Sequence, residues 1–341
     1  MLSTIIFVAL FLGLLIVSFV LWMAFLRLGL RWAKVEGVTT RRLVVATMLV
    51  FVVQAVLRIL SHVLLPSTGS RAALGGFAVL VAAVLLPCLI IARIFKSRFV
   101  RSLQAWLPTL VPSIAMVSLG LFVVRPYLVE AFYSPGNAMA PTLLGSHYRG
   151  LCPECGGPSI VCAPPYPTRG GSHGPQPTIC RHFHMSSSAD YGLRLFGPDR
   201  VLVAKYLAPR RWDLVVFRSP RDPSTLYVKR VVGLPGEQIH LDQGAAWADG
   251  RKLTPPESIR GITYVSEPSY AGRKMWGSLD NPARLAADEY FVLGDFSANS
   301  EDSRFWAEGA PDHHPFAVPA SYVCGVVTHI YWPPQRWRIL R

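Results

Sequence analysis

Tyr227-Val228-Lys229-Arg230-Val231-Val232-Gly233-Leu234-Pro235-Gly236-Glu237 sets a lysine inside an apolar, β-branched run and closes that run with Pro-Gly turn chemistry. With Leu226 in front, the composition predicts a strand that stops where the turn residues begin. A lysine so placed is either an exposed strand residue or a buried amine. Burial disfavours the ammonium form and lowers the pKa, so only a buried lysine can serve as a base near neutrality. The same pattern recurs along the chain. Arg200–Tyr206, Leu214–Phe217, Glu289–Leu293 and Tyr322–Tyr331 are short β-prone runs separated by Gly, Pro and Asp turns, which predicts a mainly antiparallel β domain over 125–341.

Upstream the composition changes. The chain has 341 residues, 51% of them hydrophobic, which is too apolar for one water-exposed domain. Four stretches approach the length of a membrane crossing: Ser3–Leu26, Leu43–Leu65, Ala72–Ile94 and Leu103–Val124. They predict an N-terminal bundle of about four transmembrane helices over 1–124. The first stretch lacks a basic start and a small-residue cleavage pattern, so it reads as a retained span. Arg27, Arg31, Lys34, Arg41 and Arg42 follow the first span, and Arg93, Lys96, Arg98 and Arg101 follow the third. The positive-inside rule places both segments in the cytoplasm and the β domain on the extracytoplasmic face of the cytoplasmic membrane. The net charge of +14 is read as span-flanking and surface arginine, with some attraction to anionic membrane lipids. No basic helix with interleaved aromatics is present, which argues against nucleic acid as a partner.

Two further blocks complete the pattern. Pro135-Gly136-Asn137-Ala138-Met139-Ala140-Pro141-Thr142-Leu143 lies just after the last apolar span, and Gly294-Asp295-Phe296-Ser297-Ala298-Asn299-Ser300-Glu301-Asp302-Ser303-Arg304 follows the Glu289 run. In this order, with the Lys229 block between them, they resemble the type I signal peptidases, membrane serine endopeptidases that use a Ser-Lys dyad. Trp212-Asp213-Leu214-Val215-Val216-Phe217 and the approach Val124–Phe132 resemble the same family, over roughly residues 120–341 apart from an insert. The resemblance implies a signal-peptidase-type β domain, Lys229 as general base, Ser300 as its hydrogen-bond support, and an Asp302–Arg304 pair holding the strands. It puts the attacking serine at position 138, where this chain has alanine, whose methyl group forms no acyl-enzyme. Asn137, Phe296 and Trp212 also depart from the family pattern. Ser134, Thr142 and Ser146 are nearby hydroxyls, but Ser134 is four residues too early for the attack geometry.

The insert, 151–186, carries a second chemistry. Cys152-Pro153-Glu154-Cys155-Gly156 is a Cys-x2-Cys knuckle, with Cys162 and Cys180 beyond it and His173, His182 and His184 near them. Cys152, Cys155, Cys162 and Cys180, with His182 or His184 as substitutes, would make a closed structural zinc site. The rival is two disulfides, which suits an extracytoplasmic loop. Either would staple a Pro- and Gly-rich loop, Ala163–Pro175, that buries little by itself. Cys88 and Cys324 lie in apolar runs and read as packing.

The resemblance implies removal of signal peptides from secreted preproteins, with no cofactor for catalysis. Ala138 sets a second reading beside it: an inactive paralogue that binds signal peptides or envelope proteins without cleaving them. A third is an interaction module displayed by the zinc loop.

Overall fold

The computed structural model describes residues 2–64, 70–162, 175–188, 190–192, 194–267, 269–270 and 272–341. The chain divides into two compact units, Met1–Val123 and Val124–Arg341.

The first unit is helical: α1 (Leu2–Trp32), α2 (Thr40–Leu64), α3 (Ser70–Phe95), α4 (Phe99–Trp106) and α5 (Leu110–Leu119). Among the described residues four segments are long and apolar enough to cross a membrane: Leu12–Trp32, Thr40–Ser61, Gly75–Phe95 and Phe99–Leu128. The last is not one regular helix. A 3-10 turn at Leu107–Thr109 carries Pro108, whose missing N–H breaks the ladder between α4 and α5. Leu26, Leu30, Ala46, Val50, Ile91 and Ala105 pack at the bundle centre. At Gly29 a Cβ would stand 2.0 Å from the Ala105 carbonyl oxygen, so glycine permits the α1–α4 contact. Gln54, polar inside an apolar helix, donates to the Ala83 carbonyl at 2.8 Å and so is satisfied within the bundle. Leu, Ile, Val and Phe side chains cover the outer faces, as for helices solvated by lipid.

The second unit is built on antiparallel strands: β1 (Val129–Tyr133), β2 (His147–Leu151), β3 (Pro158–Cys162), β4 (Gln176–Cys180), β5 (Met185–Ser188), β6 (Arg200–Ala204), β7 (Leu214–Arg218), β8 (Leu226–Gly233), β9 (Gln238–Asp242), β10 (Ala245–Ala248), β11 (Glu289–Leu293) and β12 (Val323–Trp332). The main sheet runs β1-β6-β12-β7-β8-β11 and ends at Val318–Pro319. β7 explains why its sequence is apolar throughout. Leu214 and Val216 join one core with Met139, Val203 and Val327, while Val215 and Phe217 join another with Val231, Val292 and Val326. A smaller sheet, centred on the β9–β10 hairpin, packs its Ile239, Leu241 and Ala246 into a third core.

The insert departs from the expected loop. Its described part supplies β3 and β4 to a four-stranded sheet, β2-β3-β4-β5, and Ile179 of β4 and Phe183 of the turn after it enter the third core beside Val232, Phe296 and Phe305. The Pro- and Gly-rich stretch and His173 lie outside the described residues, except for Pro175.

Candidate active site

Lys229 sits on β8 opposite Val215 of β7, and the next residue, Arg230, stands opposite Leu293 of β11. Lys229 is only 5% exposed, and its amine makes no hydrogen bond among the described residues. Burial is the largest influence on it. Asp302 opposes that influence and Arg304 adds to it, and the amine is held down to about 8 from the ordinary 10.5. At pH 7 about a tenth of this amine is therefore unprotonated, far more than of an ordinary lysine, which is what a base needs.

Beyond β11 the chain turns through Ser297–Asn299 and brings Ser300, Asp302 and Arg304 back against the strand. Asp302 and Arg304, both fully buried, form a two-pronged pair: Nε to Oδ1 and a terminal nitrogen to Oδ2, each 2.8 Å. Arg304 also donates to the Ser297 hydroxyl at 2.7 Å, and Asp302 accepts the Gly294 N–H at 2.9 Å. Burial alone would raise the Asp302 carboxyl. The Arg304 charge and hydrogen bonds, with Lys229 and the Gly294 N–H, hold it below its usual range.

Ser300 Oγ is buried without a hydrogen-bond partner among the described residues. A Cβ built on Gly294 would meet Ser300 Oγ at 2.1 Å and the Ala138 carbonyl oxygen at 2.7 Å. Glycine at 294 thus lets the Ser300 turn and the backbone of position 138 meet across β11. The Phe296 N–H donates to that same Ala138 carbonyl at 3.0 Å. Phe296, the departure from the family's asparagine, is 1% exposed and serves the third core.

The loop bearing Ala138 is held without its side chain. Asn137 donates to the Ser146 carbonyl at 2.7 Å and accepts the Gly145 N–H at 2.9 Å, closing the loop on itself. Met139 and Leu143 enter one core, and Ala140 and Leu144 another, so the loop is wedged between them. Asp199 accepts the Leu144 N–H at 2.9 Å and pairs in two-pronged fashion with Arg336. Ala138 itself is half-buried, and its N–H donates to no group among the described residues. Ser134 is not poised as a replacement nucleophile: it is 3% exposed and its hydroxyl donates to the Gly136 carbonyl at 3.1 Å.

A third set of residues carried no assigned role in the sequence. Arg230 binds both oxygens of buried Asp295, at 2.7 and 2.5 Å, and Thr142 donates to Asp295 at 2.5 Å. One contact therefore ties together the loop of position 138, the lysine strand and the Gly294 turn. The signal available was Arg230 inside an apolar strand run; Thr142 and Asp295 lie in turn-rich blocks where a polar residue carries no such signal.

In the insert, the ligand atoms of Cys152, Cys155, Cys180 and His184 all lie within 4.8 Å of one another. Cys162 is not in this group, contrary to the expected set. Its thiol is buried among the third core, pushed up to about 12 by that burial, and accepts a hydrogen bond from Asn299 at 3.1 Å. His184 stands in the fourth position, and His182 lies outside the group with its ring 5.9 Å from that of His184. At Cys152 burial acts to raise the thiol, but the Cys155 and Glu154 N–H groups, His184 and Cys155 hold it down to about 7. Cys155 and Cys180 sulfurs stand 3.9 Å apart, so they are not disulfide-bonded here.

These features define a membrane protein whose antiparallel β domain surrounds a buried lysine, a buried serine and a buried Asp–Arg pair. A family model described as signal peptidase, peptidase S26, matches residues 178–332. Signal peptidase I of Pseudomonas fluorescens is 26% identical over 239 residues, covering 63% of this chain and 70% of that protein. Signal peptidase I of Mycobacterium tuberculosis is 31% identical over 229 residues, covering 64% and 69%. A solved signal peptidase I from Enterococcus faecalis V583 is 26% identical, covering 36% of this chain and 98% of its own, with a TM-score of 0.27. The chain belongs to the signal peptidase I family. The family activity is the removal of signal peptides, and it uses no cofactor.

Proposed function

We propose that the β domain takes preprotein segments as signal peptidases do, with Lys229 as the general base, Ser300 as its hydrogen-bond support and Asp302–Arg304 as the clamp that holds them. The observation that carries this reading is Lys229: a lysine only 5% exposed on β8, acted on by the charges of the fully buried Asp302–Arg304 pair, whose turn also holds a Ser300 hydroxyl with no hydrogen-bond partner among the described residues. The free Ala138 N–H is suited to hold an oxyanion. With Ala138 in the nucleophile position, the unaltered chain turns over only at the residual rate left by binding and backbone polarisation. The basic segments 27–42 and 93–101 support a cytoplasmic placement of both, with the β domain on the outer face of the cytoplasmic membrane, where secreted preproteins emerge. The Cys152, Cys155, Cys180 and His184 group supports a structural zinc.

Ala138 favours one second reading, a protein that binds signal peptides without cleaving them. Cleavage of a model preprotein by the purified chain, by Ala138→Ser and by Lys229→Ala separates the two. Cleavage by Ala138→Ser that Lys229→Ala abolishes supports the enzyme reading. Binding by every variant with cleavage by none supports the second. Robust cleavage by the unaltered chain, indifferent to Lys229→Ala, overturns the dyad assignment.

A further inference from the structure

The insert touches both halves of the candidate site. On one side, β2 begins at His147, immediately after the loop that Asn137 closes through Gly145 and Ser146. On the other, β3 ends at Cys162, whose thiol accepts a hydrogen bond from Asn299 at 3.1 Å, and Asn299 immediately precedes Ser300. A third contact comes from the turn after β4. The His182 carbonyl oxygen would stand 2.9 Å from a Cβ at Gly261, so this backbone lies directly against the 259–264 segment. That segment leads to Val265, whose N–H donates to the Ser297 hydroxyl at 2.8 Å, and Ser297 in turn receives Arg304. Hydrogen bonds and close packing therefore connect the insert to the Asp302–Arg304 pair and to the Ser300 turn.

The insert must be held in that position by more than its strands. Its described strands are short, and its turns are built for ligation. The Cys152–Cys155 turn is closed by Gly156 N–H to Cys152 carbonyl at 2.8 Å, with Gly156 at φ +64°. The Cys180–His184 turn is closed by Phe183 N–H to Cys180 carbonyl at 3.0 Å, with Phe183 at φ +66°. A bulky residue in the left-handed region is strained unless something fixes the turn. The His182 N–H points at Cys180 Sγ at 3.3 Å, as backbone amides do toward a thiolate. With Zn–S bonds of about 2.3 Å, the sulfurs of a tetrahedral site stand roughly 3.8 Å apart. Cys155 and Cys180 are 3.9 Å apart, and Cys152 Sγ and His184 Nδ1 are 3.8 Å apart.

Resting on the zinc reading above, we propose that a single zinc held by Cys152, Cys155, Cys180 and His184 locks the insert against the candidate site and thereby sets the position of the Ser300 turn and of the Asp302–Arg304 pair, whose charges act on Lys229. Cys162 and Asn299 are then positioning residues, and zinc occupancy controls the site without taking part in its chemistry.

The test uses the full chain in detergent. Zinc is counted by metal analysis. Lys229 is followed by its rate of modification with an amine reagent across pH, mapped by mass spectrometry, alongside the affinity for a fluorescent signal peptide. One zinc per chain is expected. Its removal by a chelator should raise Lys229 labelling and weaken peptide binding about tenfold or more, and added zinc should restore both. Cys162→Ala and Asn299→Ala should keep one zinc yet move both readouts severalfold, with Cys162→Ser restoring part of the effect. These two variants leave the ligands intact, so they decide the matter even if the chelated protein unfolds. A removable zinc with unchanged labelling and affinity in the chelated protein, or in both variants, overturns the coupling and leaves the zinc site standing. Metal-free protein with no free thiols at 152, 155 and 180 overturns the zinc reading, and the coupling with it.

Discussion

The two halves of the candidate site are held in different ways. The loop around Ala138 is fixed by main-chain hydrogen bonds, by Asn137 and by the Asp199–Arg336 pair, none of which uses the side chain at 138. The strand around Lys229 is shaped by the side chain itself: a buried amine on which the charges of the buried Asp302–Arg304 pair act. On the proposed reading, a serine-to-alanine difference at 138 therefore removes chemistry and leaves the scaffold untouched. A change at Lys229, Asp302 or Arg304 alters chemistry and stability together. The first half can lose its function at no structural cost; the second cannot be altered quietly.

The largest effect expected from this contrast is on rate. Ala138→Ser adds one hydroxyl to a loop already in place, so cleavage of a preprotein should rise by on the order of 10³-fold or more in single-turnover measurements. Its melting temperature should stay within experimental error. If the variant folds equally well and does not cleave, Asn137 or Phe296 has changed the geometry of the site as well as its chemistry.

Next comes the clamp. Asp302→Ala leaves the guanidinium of fully buried Arg304 without its carboxylate, which costs about 3–5 kcal/mol for pairs of this kind. Denaturant unfolding of the β domain measures it. The exposed Arg260–Glu257 pair is the internal control and should contribute less than about 1 kcal/mol. Equal costs for the two pairs would show that burial is not what makes the clamp strong.

Lys229→Met sharpens the contrast in the opposite direction. Burial lowers the amine to about 8 in the folded state, against 10.5 for an ordinary lysine. Between those two values the unfolded chain binds more protons than the folded one, so the stability of the unaltered protein rises with pH across that window. Below pH 8 the full cost of burying the amine is present. A methionine of similar volume carries no such cost, so the variant should be more stable by roughly 1–3 kcal/mol at pH 7. That advantage should shrink from pH 8 to 10.5 and vanish above it. A constant advantage at all pH values would mean that packing, and not charge, is the source. Activity restored by Ala138→Ser should be absent in this background.

Much of this could be read from the sequence, because period and composition are local. The β-prone runs at 200, 214, 226, 289 and 322 became strands of the main sheet, and the apolar stretches became helices. What could not be read depends on contacts distant along the chain. Thr142, Arg230 and Asp295 meet only because three separate elements converge. Cys162 looked like a ligand because it follows a Cys-x2-Cys knuckle, but antiparallel pairing with His147 carries it to the far end of β3 and into the core. The same pairing turned an expected loop into a sheet, since Ile179 and Phe183 find apolar partners that belong to other elements.

The smallest expected effect on stability belongs to Ser300, and it is the most discriminating. Its hydroxyl is buried without a partner among the described residues, so Ser300→Ala breaks no hydrogen bond seen there and relieves a desolvated polar group. Unfolding free energy should change by less than about 1 kcal/mol. In the proposed role the hydroxyl swings to donate to the neutral amine of Lys229 when a substrate is bound, which would favour the unprotonated form. In the Ala138→Ser background, Ser300→Ala should therefore reduce cleavage by about tenfold or more and move the acidic limb of the pH–rate profile to higher pH. A threonine, which keeps a hydroxyl, should recover part of the rate if Gly294 leaves room for its methyl group. Should Ser300→Ala instead cost more than about 2 kcal/mol and leave the pH profile where it was, Ser300 is a packing residue, and Lys229 works without its help.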